Sequence, residues 1–180
     1  MGLGRRNMVC SPKEVIAYIP YQLGALMAFT AAHGVKLQHC KPHGSLYNMA
    51  AKDMDLSLAI AEAIVEVDKN IILMGLAGSK MLEAGRQMGL RVASEVFADR
   101  AYQADGSLVP RKQPGAVIHD KDEAIARTIR MVTEGKVTAI TGEEVSIDAH
   151  SICVHGDNPS AVEFVKNIRA SLSAQGVEIA

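Results

Sequence analysis

The chain has 180 residues, 48% apolar and 22% charged, with a net charge of −1. That length can bury a real core in one domain, and the charge balance argues against a nucleic-acid or anionic-membrane partner. Only 4% of residues are aromatic and none is Trp, which argues against a stacking platform for single strands.

No apolar run reads as long enough to cross a bilayer. The basic start, Met1 to Arg6, is not followed by the apolar core of an export signal. Cys10, Cys40 and Cys153 lack CxxC or metal-finger spacing, so reduced thiols in a cytoplasmic protein are the simplest reading.

Ser11-Pro12-Lys13-Glu14 reads as a helix start, with Ser11 as cap, Pro12 in the first turn and Glu14 completing a capping box. Apolar residues recur at Val15, Ile16, Ile19, Leu23, Leu26, Met27 and Phe29. Pro20 is a candidate kink and Gly34 a left-handed end. Val35 to Cys40 reads as a buried strand running into a Lys-Pro-His-Gly loop. A second helix is predicted over 53–68, with Leu56, Ile60, Ile64 and Val67 on one face. Ile71 to Gly75 reads as a buried parallel strand. A helix over 79–88 closes at Gly89, and a strand follows over 91–97. The turn 75–79 resembles a phosphate-holding turn, but it lacks the Walker Lys and the dinucleotide pattern, so a tight turn is the better reading.

A long loop from Ala98 to about Ile118 is of functional length. Asp120 opens a helix that Gly135 ends. Short extended pieces are expected at 137–140 and 145–147, then a strand over 151–154. Asn158-Pro159 caps a final helix, and 177–179 reads as a last strand. The alternation of helix and strand implies α/β with parallel strands, in a barrel or an open sheet, and no interdomain linker interrupts 1–180.

In such folds ligands bind beyond the carboxyl ends of the strands. Three polar clusters fall there. The first is Lys41, His43, Tyr47 and Asn48. Lys41 offers a point charge for an anion, and His43 an acid–base group or metal ligand. A tight turn with Tyr47 as packing is the plainer alternative. The second holds Glu95, Asp99, Arg100 and Arg111. Its carboxylates suit polar chemistry, and its arginines suit a carboxylate or phosphate clamp. A local Asp99–Arg100 ion pair is the plainer alternative. The third is His155 and Asp157, which can share a proton or contribute to a metal site if His43 converges on them. Cys40 and Cys153 are better read as core residues than as nucleophiles.

The segments 41–48 (KPHGSLYN), 95–102 (EVFADRAY), 105–111 (DGSLVPR) and 152–159 (ICVHGDNP), with the start Gly2-Leu3-Gly4-Arg5-Arg6, resemble the LamB/YcsF family across essentially the whole chain. The resemblance implies an irregular or incomplete (β/α) barrel like that of polysaccharide deacetylases. It implies ATP-dependent hydrolysis of 5-oxo-L-proline (5-oxoproline) to L-glutamate, together with 5-oxoprolinase subunits B and C. ATP enters as co-substrate, and a divalent metal stays open. On that basis Lys41 or Arg100 is expected to hold the substrate carboxylate. His43 and Asp157, with His155 and Asp99, are expected to manage protons or a metal, and Tyr47 to shape the pocket.

Family members are longer, so the chain reads as a single shortened domain lacking the first barrel strands. An open sheet edge then favours a homo-oligomer. The alternatives are a non-catalytic interaction subunit, or a metal-dependent carbohydrate deacetylase inferred from fold likeness alone.

Overall fold

The computed structural model describes residues 6–156 and 161–179. The chain forms two compact units, Met1–Ser94 and Glu95–Ala180.

In the first unit, α1 (Pro12–Ala32) begins as the sequence predicts. Glu14 N–H donates to Ser11 Oγ at 3.3 Å, and Ser11 N–H donates back to Glu14 Oε2 at 2.8 Å. Pro20 sits inside the helix without ending it. Gly34, at φ +67°, donates to the Ala31 carbonyl, and Val35 donates to that of Thr30, which closes the helix in a Schellman motif. Val15, Ile19 and Leu23 form the buried stripe. Tyr18, Tyr21, Leu26 and Phe29 stay exposed, Tyr21 at 78%.

Among the described residues α1 is the helix long and apolar enough, by length and composition, to cross a membrane. This corrects the expectation that no such run exists. Its charges, Lys13 and Glu14, lie in the first turn, and Val15–Ala32 carries none. The small and aromatic residues between the periodic positions are neutral as well.

β1 is only His39–Cys40, paired parallel with β2 (Ile72–Leu76) through His39↔Ile72 and Cys40↔Leu73. The buried strand expected over 35–40 is therefore shorter and less enclosed. Val35 is exposed, and its N–H is already used to close α1. The loop expected after β1 contains a helix, α2 (Gly44–Ala50).

α3 (Met54–Asp68) is capped by Asp53, whose side chain accepts from Leu56 N–H at 3.0 Å. It buries Leu56, Ile60 and Ile64 with Ala59 and Ala63. The turn after β2 is tight. A Cβ on Gly75 would stand 3.1 Å from Met81 Cε and 3.2 Å from Leu82 Cδ2. Gly78 has φ +74°, and Ser79 begins α4 (Lys80–Gln87) with no side-chain cap bond. The Lys80 amide is taken by the Ala51 carbonyl. β3 (Val92–Phe97) then runs from this unit into the next.

In the second unit, the Glu95–Phe97 half of β3 pairs parallel with β6 (Ser151–Cys153): Glu95↔Ser151, Val96↔Ile152, Phe97↔Cys153. α5 (Lys121–Thr133) is capped by Asp120, which accepts from Glu123 N–H at 2.8 Å. β4 (Lys136–Thr138) and β5 (Glu144–Ser146) pair antiparallel, a departure from the all-parallel expectation. The link between them is too short for the crossover that a parallel pair needs.

α6 (Ala161–Ala174) places Phe164, Ile168 and Leu172 against Ala98 and Ala124. Val177 and Ile179, expected as a strand, instead pack on this cluster after the helix. Val177 N–H donates to the Leu172 carbonyl, so that segment closes α6.

Candidate functional site

The register of β3 and β6 creates the main feature. Phe97 stands opposite Cys153, so two residues further along both parallel strands Asp99 meets His155. His155 Nδ1 lies 2.8 Å from Asp99 Oδ2 and 3.1 Å from Oδ1. The pair is half-buried, with side-chain exposures of 27% for His155 and 21% for Asp99. The Phe97 ring stacks on the imidazole, with centroids 5.9 Å apart and planes at 30°. A carboxylate only accepts hydrogen bonds, so this pairing assigns the hydrogen to Nδ1 and leaves Nε2 as acceptor. Imidazole, orienting carboxylate and an aromatic wall make an acid–base arrangement.

The other predicted residues of this unit take different positions. Glu95 is buried within β3, 1% exposed, rather than offered at its end. Arg100 was expected as an anion clamp, and the structure corrects this. It is buried, its Nε donates to the Ala116 carbonyl at 3.2 Å, and its Nη2 donates to the Val109 carbonyl. Burial, then the like charge of Arg111, draws its pKa below the ordinary arginine value. Its guanidinium thus ties the loop 98–118 together, helped by the isolated bridges Arg100↔Val117 and Tyr102↔Leu108. Arg127 Nη1 adds a bond to the Arg100 carbonyl at 3.3 Å. Arg111 is exposed and remains available to an anion. Asp157 lies outside the described residues, as does the Asn158-Pro159 cap.

In the first unit, His43 is the exposed N-cap residue of α2, and its side chain makes no cap bond. Lys41 is half-buried. Tyr47 is buried, which fits a packing role, and Asn48 donates to the Gly44 carbonyl of its own helix at 2.9 Å. Lys41 and His43 are therefore the chemically available members of that cluster. The Ser45 hydroxyl donates to Asn7 Oδ1, a contact 38 residues apart that no local pattern signals.

All three cysteines are free. Burial pushes the Cys40 thiol up to about 11. The neutral thiol is thereby favoured in the folded state up to the raised pKa, against an ordinary value near 8.5. Iodoacetamide is expected to label Cys40 of the folded chain at pH 8 at least about tenfold more slowly than after denaturation in urea. The same shift makes folding stability fall as pH rises from the unfolded value towards 11. Equal labelling rates in the two states would contradict a buried thiol.

Among the described residues no group of three or more His, Cys, Asp or Glu is arranged to hold a metal ion. Sequence reasoning located Asp99 and His155 but missed Phe97 and Tyr102 as their supports. The alternation Glu95, Phe97, Asp99 was the available signal, since it puts Phe97 and Asp99 on one side of the chain.

The LamB/YcsF family model matches residues 1–180. The chain is 63% identical over 179 residues to the A subunit of 5-oxoprolinase from Alkaliphilus metalliredigens (strain QYMF), covering 99% of this chain and 70% of that protein. It is 55% identical over 179 residues to the 5-oxoprolinase A subunit of Clostridium beijerinckii, with the same coverage. Among solved structures it is similar to the lactam utilization protein of Thermus thermophilus. The TM-score is 0.89 at 45% identity, over 98% of this chain and 70% of that one.

Proposed function

The chain belongs to the LamB/YcsF family, and from that premise we propose that it is the A-type subunit of a 5-oxoprolinase, a hydrolase that opens a cyclic amide. The observation that carries a role for particular residues is the His155–Asp99 pair with Nε2 left open.

Opening 5-oxo-L-proline to L-glutamate adds water at the lactam carbonyl, breaks the C–N bond and protonates the leaving nitrogen. Amide resonance makes that carbonyl a poor electrophile. ATP, as co-substrate, supplies the activation by phosphorylating the lactam oxygen. His155 takes the proton from the attacking water at Nε2 and returns it to the nitrogen, while Asp99 holds the ring and balances the imidazolium. Arg111 offers the substrate carboxylate a planar cation, and Lys41 offers an anion a point charge in its own unit. No step runs through a metal ion.

Subunits B and C complete the assembly, and the cytoplasm, where ATP is present and the thiols stay reduced, is its compartment. The 70% coverage of the relatives supports a second reading, a non-catalytic interaction subunit of the same complex.

The test is co-expression with subunits B and C of Alkaliphilus metalliredigens, followed by measurement of glutamate and ADP from 5-oxoproline and ATP. Glutamate release that requires this chain supports the first reading. Assembly with B and C but no turnover, where the Alkaliphilus counterpart of this chain is active, selects the second. No assembly and no turnover overturns both.

A further inference from the structure

We infer that Tyr102 is a positioning residue for the His155–Asp99 pair and acts through Phe97; the catalytic part of this inference rests on the acid–base reading of that pair. Strand geometry is the starting point. Ala98 N–H donates to the Cys153 carbonyl at 3.3 Å, so it faces β6. Successive amides of a strand point to opposite sides. The Phe97 N–H therefore faces away from β6, and there it donates to the Tyr102 hydroxyl at 2.9 Å.

Tyr102 is 0% exposed. Its position is fixed by the bridge to Leu108 and by Ile140 N–H, which donates to its carbonyl at 2.8 Å. Burial holds its phenol pKa well above the ordinary value, so the hydroxyl stays neutral and keeps its proton.

The chain of contacts runs from Tyr102 to Phe97 to His155. The imidazole is held at its edge by Asp99 and on its face by Phe97. Removing the hydroxyl orphans a buried amide, and a buried donor without a partner seeks another geometry. The end of β3 then shifts, and with it the ring that sets the tilt of His155. A misplacement of about 1 Å is enough to cost on the order of 100-fold in rate.

The test is Tyr102→Phe, which preserves the ring volume. In the isolated chain, the His155 ring proton resonances are expected to move as the Phe97 ring current changes. In the reconstituted complex, kcat is expected to fall roughly tenfold, with KM within about twofold. In a Phe97→Leu background, Tyr102→Phe is expected to add less than about twofold, because the link is already cut.

Unchanged His155 resonances, or full additivity of the two substitutions on kcat, would overturn the inference. If Tyr102→Phe does not fold, Phe97→Leu alone must move the His155 resonances and lower kcat, and its failure to do so is equally decisive. A fully active His155→Gln would instead remove the catalytic reading of the pair, while the resonance measurement would still decide the mechanical link.

Discussion

His155→Gln is expected to lower kcat of the reconstituted activity by about 10²–10⁴-fold, the usual contribution of a positioned acid–base group. Glutamine keeps the approximate size and polarity of the side chain but neither takes up nor releases a proton near neutral pH. Asp99→Asn is expected to fall in the same range or somewhat below it. The amide can no longer accept at both positions, so the imidazole loses its fixed tautomer and orientation, although it still titrates. KM for 5-oxoproline is expected to change little in both variants, because neither side chain is assigned to the substrate carboxylate. Steady-state assay of the complex across pH 6–9 checks this. Full activity of His155→Gln in a folded chain would remove the pair from the chemistry, whatever the family resemblance.

Arg100→Met has its largest expected effect on stability. The substitution keeps most of the apolar stem and deletes the guanidinium. It leaves the Val109 and Ala116 carbonyls without their donor in a buried loop. Each buried acceptor left unpaired costs about 1–3 kcal/mol. A urea titration should show a lower midpoint with an unchanged slope. A clamp for the substrate carboxylate predicts the reverse pattern, an intact midpoint and a raised KM. The two outcomes therefore decide between the sequence expectation and the observed carbonyl bonds.

What the sequence revealed and what it hid follow a physical division. Local signals were legible. The box at Ser11 and Glu14, the Asp53 and Asp120 caps and the Gly34 stop depend on residues a few positions apart. Asp99 and His155 were found because polar residues after apolar strands are exceptional. Their meeting was a consequence of register, which no composition encodes.

Composition failed where a third partner decides. Val35 to Gln38 looked like a strand, yet a strand exists only where a neighbour supplies a ladder, and β1 has one over two residues. Arg100 looked like a ligand because guanidinium suits anions. Whether it faces solvent or carbonyls depends on how the loop folds back on it. The apolar α1 looked like a core helix, but only Val15, Ile19 and Leu23 reach the interior.

The distribution of tyrosines has a practical consequence. The chain has four Tyr and no Trp, so all of its near-ultraviolet emission comes from phenols. Tyr47 lies inside the first unit and Tyr102 inside the second, while Tyr18 and Tyr21 face solvent on α1. With Tyr18 and Tyr21 changed to Phe, each half of the molecule carries a single interior fluorophore. Quantum yield during denaturation would then report whether the halves melt together or in sequence, without any introduced label.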